Sequence, residues 1–406
     1  MKPARSEYAL YDRPRPVGAP VLDLDPFSIV FMEDPLPGYT ALLNAGPYVW
    51  LSQYDIGAVA RYEQVRAVLR DWKTFSSARG VGMEDFEVHG RFRLPSLILE
   101  ADPPEHSEAR EILSRVLSPP ILKTLRDRFF EEADLLISEL LERRTFDGIK
   151  DLAEAYPLRV FPDAIGMSRE GREKLLPHAD MLFNSFGPRN ELFQASLDKA
   201  NFAWVDQQGR LEMLQPGGLG MMVHEAAERK SMPPEKAAML VRALLQAGLD
   251  TTINGLGATL HCLLQNPDQW RLLRDDPSLA KAAFDEAIRL ESPVQTFFRT
   301  ATQDTTLGEI AVNSGDKVLM FLGAANRDPR QWADPDRFDI TRRTLGHVGF
   351  GAGIHACVGQ LLSKLEADAL LSTLARRVTS IEMTAPPERR YNNTLRGLAT
   401  LPMEIR

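Results

Sequence analysis

Cysteine is scarce in this chain: Cys262 and Cys357 are the only two in 406 residues. Two thiols cannot form a disulfide framework, so an oxidising compartment is not expected. A zinc site is excluded as well, because neither cysteine has a CxxC or HxxxH partner set. No basic tract offsets the net charge of −8, which argues against a nucleic-acid partner. Apolar runs are interrupted by charges well short of membrane-spanning length. The first twenty residues, MKPARSEYALYDRPRPVGAP, hold four prolines and no apolar stretch, so neither a signal peptide nor an anchor is read there. Repeats, low-complexity tracts and linkers are missing too. The expectation is a cytoplasmic protein.

What is present suits a large buried core, with 44% hydrophobic and 26% charged residues. Residues 1–25 read as a proline-rich arm, and 26–406 as a single domain. A mixed region comes first. YVWLS and IGAVAR are β-like runs, and YEQVRAVLRD has helical spacing. Helices then dominate. SPPILKTLRDRFFEEADLLISELLER is amphipathic with prolines at its start, where missing amide donors cost least. Residues 233–265 read as one central helix, apolar on nearly all sides, with a kink at AGLDTT. β-like pieces return over 294–322, where Asn313-Ser314-Gly315 is a hairpin signal. The fold class is therefore mainly α with smaller β regions.

Cys262 lies inside the apolar run ATLHCLLQ and reads as core. Cys357 stands in GFGAGIHACVGQ, among Gly349, Gly351, Gly353 and Gly359, just before a helical period. A helix N-terminus favours a thiolate there, and glycines let backbone N–H groups approach the sulfur. The Gly349, Gly351, Gly353 spacing does not fit a dinucleotide loop. A lone thiolate in a glycine frame suits a metal whose other ligands come from a macrocycle, which is haem iron.

FGAGIHACVG resembles the cytochrome P450 signature F-G-x-G-x-H-x-C-x-G at every fixed position. EAIR supplies the E-x-x-R pair, Glu286 and Arg289, and DPDRF the third partner, Arg337. The resemblance implies the P450 fold, with haem b between the central helix and the helix after the cysteine loop. It makes Cys357 the iron ligand, with Phe350 beside it. His106 and Arg110, an i,i+4 pair in PPEHSEAR, would meet the haem carboxylates together with Arg299 and His355. Asp250 and Thr251 match the acid–alcohol pair that feeds protons to dioxygen.

For the substrate, Ala243, Ala247 and Thr251 recur every four residues on one helix face and leave room for a flat ligand. Phe183, Phe186, Phe297 and Phe298 suit either an aromatic pocket or core packing. PSLILEADPP, FGPRNEL, ESPVQTFFR and NNTLRGL resemble bacterial P450s that oxidise para-substituted benzoic acids. That likeness implies Arg93, Ser96 and Arg242 around a carboxylate, with Leu99, Val294 and Phe297 around the ring. Ala243 and Gln246 stand where serines are expected. Losing one hydroxyl leaves a carboxylate a donor short, and Gln246 either replaces it with an amide N–H or marks a different polar group.

The implied reaction is monooxygenation, O-demethylating or hydroxylating the para substituent with O2 and two electrons. No flavin or iron–sulfur segment is present, so a ferredoxin and its NAD(P)H-dependent reductase are expected as partners. Arg110, Arg115 and Lys364 offer basic charge toward an acidic ferredoxin. Oxidation of a neutral aromatic, a peroxide-driven enzyme and a haem-based sensor are the alternatives. The intact Asp250–Thr251 pair weighs against the last two.

Overall fold

Proline placement and apolar period account for most of the helical body in the computed structural model, which describes residues 5–406. The helix Pro119–Arg143 opens on two prolines and closes on a basic turn, in keeping with the helix dipole. Its apolar stripe, including Phe129, Leu136 and Leu140, is buried against the helix Gln360–Arg377. That second helix begins three residues beyond Cys357 and ends on Arg376 and Arg377. Cys262 is 3% exposed in the same core, as its apolar surroundings require.

Six short strands form a mixed sheet in the order Val21–Leu22, Val49–Leu51, Ile56–Val59, Lys317–Phe321, Thr296–Ala301, Phe75–Ser76. Val21 pairs in parallel with Trp50, so the proline-rich segment enters the sheet at its edge. The strand Lys317–Phe321 runs parallel to Ile56–Val59 and antiparallel to Thr296–Ala301. It thereby sets Phe297 opposite Met320 and Arg299 opposite Val318.

Two expectations need correction. Asn313-Ser314-Gly315 does not close a hairpin. The tight turn is Gly308-Glu309, which pairs Leu307 with Ile310, while Lys317–Phe321 joins the larger sheet. Gly315, at φ +85°, turns the chain from one sheet to the other. The central helix is also not continuous: it comprises Pro234–Ala247 and Asp250–Gln265, parted at Gly248 and Leu249. Thr251 Oγ1 donates to the Ala247 carbonyl at 2.8 Å and Thr252 Oγ1 to that of Gly248 at 3.0 Å. These hydroxyls satisfy carbonyls at the break.

Candidate active site

The cysteine loop is shaped by two left-handed glycines, Gly351 and Gly353, both at φ +70°. Cys357 N donates to the Phe350 carbonyl at 2.8 Å, which folds the loop back on itself. Cys357 is exposed and lines a cavity together with Phe350, Thr251 and Arg299. Burial pushes its thiol up, opposed by the amides of Gly359 and Gln360 and by Arg110. Those donors would favour a metal-bound thiolate once a cation sits opposite.

The cavity encloses about 1630 Å3 of atom-free space, its open mouth included, and reaches from Cys357 and Phe350 to Arg93 and Phe186. On its polar flank the expected carboxylate partners come together. The rings of His106 and His355 lie 4.3 Å apart. His355 Nδ1 is 3.2 Å from the Ile98 carbonyl, and Arg110 donates to the Ala356 carbonyl. Burial pushes His106 down to about 4, helped by His355 and Arg110, and pushes Arg299 down to about 10. Among the described residues, His106 Nε2 and His355 Nε2 are buried without a hydrogen-bond partner, His355 Nε2 lying 3.8 Å from Asp102. Arg299, 2% exposed, donates to the Phe298 carbonyl, with no acid side chain bonded to it among the described residues. Arg110, Arg299 and His355 line the cavity, with the His106 ring behind that of His355 and Asp102 beside it; the two guanidinium groups suit the carboxylates of a bound group.

Asp250, fully buried, begins the second half of the central helix. Arg390 grips it with both terminal nitrogens, at 2.7 and 3.1 Å, and reaches Asp180 at 2.7 Å. Burial alone would lower Arg390, but Asp250 and Asp180 outweigh it and hold the guanidinium charged. Asn254 Nδ2 donates to the Asp250 carbonyl at 2.8 Å. Arg390 and Asp180 are partly exposed, so this network leads from solvent to the acid. Sequence reasoning missed Arg390 and Asp180, which only the fold brings to this helix, and Asn254, whose i+4 spacing from Asp250 was the available signal. It also missed Glu366, whose carboxyl lines the cavity with neither oxygen partnered and is raised well above its ordinary value by burial.

Glu286 and Arg289 form the expected pair, wholly buried, at 2.7 and 2.8 Å. Arg337 is not the third partner. Its side chain is exposed and it contributes only its carbonyl, which accepts from Arg289 at 3.3 Å. Arg342 takes the place, its Nε donating to Glu286 at 3.0 Å. The turn over Asp334–Arg337 points that arginine outward, while the chain returns Arg342 to the pair.

The substrate residues divide. Leu99, Val294, Phe297, Phe183, Phe186 and Ala243 line the cavity, as do Ala247, Gln246, Ser96 and Arg93. Phe183 meets Phe186 edge to face at 5.7 Å, and Phe186 meets Phe297 at the same distance. With Val81, Leu182 and Leu395 these rings form a packed cluster, so they are at once core and wall. Arg242 is a correction. One residue before Ala243, it is turned about 100° around the helix and lines a separate surface groove. There it pairs with Asp206 at 3.0 Å and donates to the Leu94 and Pro95 carbonyls. Of the three basic residues expected to meet a ferredoxin, Arg110 lines the cavity and Lys364 is paired with Asp285 at 2.7 Å. Arg115 alone is exposed.

A thiolate-bearing glycine loop, a broken helix with a buried acid, and a donor set for two carboxylates define a haem-thiolate enzyme. The family model for cytochrome P450 matches residues 147–405, and the chain belongs to that family. It is 54% identical to cytochrome P450 CYP199A2 of Rhodopseudomonas palustris, over 96% of this chain and 95% of that one. Cytochrome P450 107B1 of Saccharopolyspora erythraea is 32% identical, covering 86% and 89%. Among solved structures, cytochrome P450 CREJ in complex with (4-ethylphenyl) dihydrogen phosphate superposes with a TM-score of 0.84. It is 25% identical and covers 94% of this chain and 99% of that one. The protein is an oxygen-incorporating monooxygenase of haem b type, and the residues described above fit that group. No helix among the described residues is long and apolar enough to cross a membrane.

Proposed function

We propose that this monooxygenase O-demethylates or hydroxylates the para substituent of a small aromatic acid, benzoic acids being the expected class. A methoxy group would be hydroxylated at its methyl carbon, giving a hemiacetal that collapses to the phenol and formaldehyde. When bound, haem b supplies the iron at which dioxygen is activated with two electrons from outside the chain. Those electrons are assigned to a ferredoxin and its NAD(P)H-dependent reductase.

The carrying observation is a shared cavity: Gln246, Ser96 and Arg93 line it together with Thr251 and the rings of Phe183, Phe186 and Phe297. A ring whose head lies by Gln246, Ser96 and Arg93 brings its far substituent toward Thr251, on the central-helix side of the space the haem would fill. Phe183, Phe186 and Phe297 supply apolar walls for its faces. The P450 relative solved with (4-ethylphenyl) dihydrogen phosphate takes a para-substituted ring with an acidic head, which supports the same ligand shape here.

The chain's own residues then have distinct tasks. Phe183, Phe186 and Leu99 exclude water from the ring. Asp250, reached from solvent through Asp180 and Arg390, holds the proton to be passed inward, and Thr251 positions it at the helix break. The test is a titration of ferric holoprotein with 4-methoxybenzoate, 4-methoxybenzamide and 4-methoxytoluene, followed by formaldehyde assay with reductase and ferredoxin. A low-to-high-spin Soret shift and formaldehyde release are expected. Absence of a shift with 4-methoxybenzoate, or equal shifts with the neutral amide and 4-methoxytoluene, overturns the proposal. So does turnover on hydrogen peroxide alone that equals the reconstituted system.

A further inference from the structure

The proline-rich arm takes no part in the chemistry above, yet Tyr11 within it is buried. Its ring meets that of His89 edge to face at 5.4 Å, and its hydroxyl donates to the Met83 carbonyl at 2.7 Å. Burial and the nearby Asp85 push the phenol well above its ordinary value, so the hydroxyl keeps its proton and goes on donating at neutral pH. The arm is anchored on either side of it. Ser6 N donates to the Gln53 carbonyl at 2.9 Å, and Arg13 to that of Gly315 at 3.0 Å.

Met83 passes this contact on to the cavity. Its N–H donates to the Phe186 carbonyl at 2.9 Å. Gly82 lies so close to Phe186 that an added Cβ would meet its Cα at 2.8 Å. Phe298 N donates to the Val81 carbonyl at 2.8 Å and ties the same segment to the main sheet. Phe186 sits between the helices Leu175–Asn184 and Glu191–Leu197, so partners outside a helix help set its backbone. Its ring lines the cavity against Phe183 and Phe297, with the Arg93 guanidinium 5.5 Å from its centre.

We propose that Tyr11 is a positioning residue: through Met83 it fixes Phe186, so that the arm sets how closely the cavity wall fits a ring. Residues 81–83 are held by Phe298 from the sheet and by Tyr11 from the arm, which keeps the Met83 N–H aimed at Phe186. Removing the hydroxyl takes a donor from a buried carbonyl and lets the segment relax away from that residue. That the ring is a substrate's rests on the aromatic reading above.

Tyr11→Phe keeps the aromatic ring and removes only the hydroxyl. Tyr54→Phe is its match: Tyr54 is buried in the same core cluster, but its hydroxyl donates to Asp25 at 2.8 Å. Amide hydrogen exchange is followed in ferric holoprotein of both variants. In Tyr11→Phe, exchange over residues 81–87 and 183–190 should quicken about fivefold, one hydrogen bond's worth of local stability, while residues 119–143 stay unchanged. Kd for 4-methoxybenzoate, read from the Soret shift, should rise by about the same factor, and product per NADH should fall. Tyr54→Phe should match the wild type in all three. Unchanged exchange over 183–190 in Tyr11→Phe overturns the inference, and so does quickened exchange with an unchanged Kd. Equal changes in Tyr54→Phe also overturn it, because both bonds would then act only on stability. If 4-methoxybenzoate fails to shift even the wild type, the aromatic reading falls, and the exchange measurement alone carries or overturns the placing of Phe186 by Tyr11.

Discussion

Glu286 receives two guanidinium groups with its own side chain wholly buried, and the second comes from Arg342 rather than Arg337. Removing one cation from a buried carboxylate leaves charge uncompensated, so Arg342→Ala should destabilise the holoprotein by about 2–4 kcal/mol. Arg337→Ala, at an exposed side chain that leaves the carbonyl bonds to Arg289 and Arg342 in place, should stay within about 0.5 kcal/mol. Urea unfolding of the two variants side by side decides, and equal losses would restore Arg337 to the pair. Asp250→Asn keeps the shape of the acid while removing its capacity to carry a proton. Product formation should fall on the order of 10²-fold, with an unchanged substrate-induced spin shift. Loss of the spin shift in that variant would mean that Asp250 shapes the pocket instead.

At the scale of the element, the break in the central helix is where propensity and packing disagree. Gly248 sits at φ −82°, a conformation open to any residue, so helix propensity alone has Gly248→Ala stabilising by about 1 kcal/mol. Packing says the reverse. A Cβ there would lie 2.5 Å from the Phe161 ring and 2.8 Å from the Leu244 carbonyl. The expected result is a loss of about 1–3 kcal/mol, with a lower yield of product per NADH because Thr251 and Thr252 bond to carbonyls at this break. A higher melting temperature with unchanged coupling would overturn it. The sequence marks the kink through Gly248 and two threonines, yet an apolar period on all sides cannot say that the helix divides. The same limit explains the misread Asn313-Ser314-Gly315 turn. Local turn chemistry reports that the chain reverses, while strand pairing is decided by the neighbouring sheet.

Across the whole molecule, what could be read beforehand is what lies close in sequence: the cysteine loop, His106 with Arg110, Glu286 with Arg289, and the Asp250–Thr251 pair. What could not be read are partners brought in from far along the chain. Arg390 reaches Asp250 across 140 positions and His178 reaches Gln246 across 68, and neither carries a local signature. Lys317 belongs to the same group. It opens the strand at the middle of the main sheet, is 2% exposed, and donates to the Gly80 carbonyl at 2.8 Å and that of Arg79 at 3.2 Å. Burial lowers it to about 7 from 10.5, with Asp85 and Glu100 opposing and Arg79 and Arg299 assisting. Below pH 7 both folded and unfolded chains hold the proton, so the burial cost is present in full and does not vary with pH. Between pH 7 and 10.5 only the unfolded chain holds it, so this group's contribution to stability rises with pH. Lys317→Met abolishes that dependence and loses both carbonyl bonds at every pH. The unfolding free energy of the wild type minus that of the variant should therefore increase by about 1 kcal/mol per pH unit from pH 7.5 to 9.5. Between pH 5.5 and 6.5 it should be level. A difference that stays level across both ranges would show that Lys317 remains charged in the folded protein, with its two carbonyls and Asp85 compensating its burial.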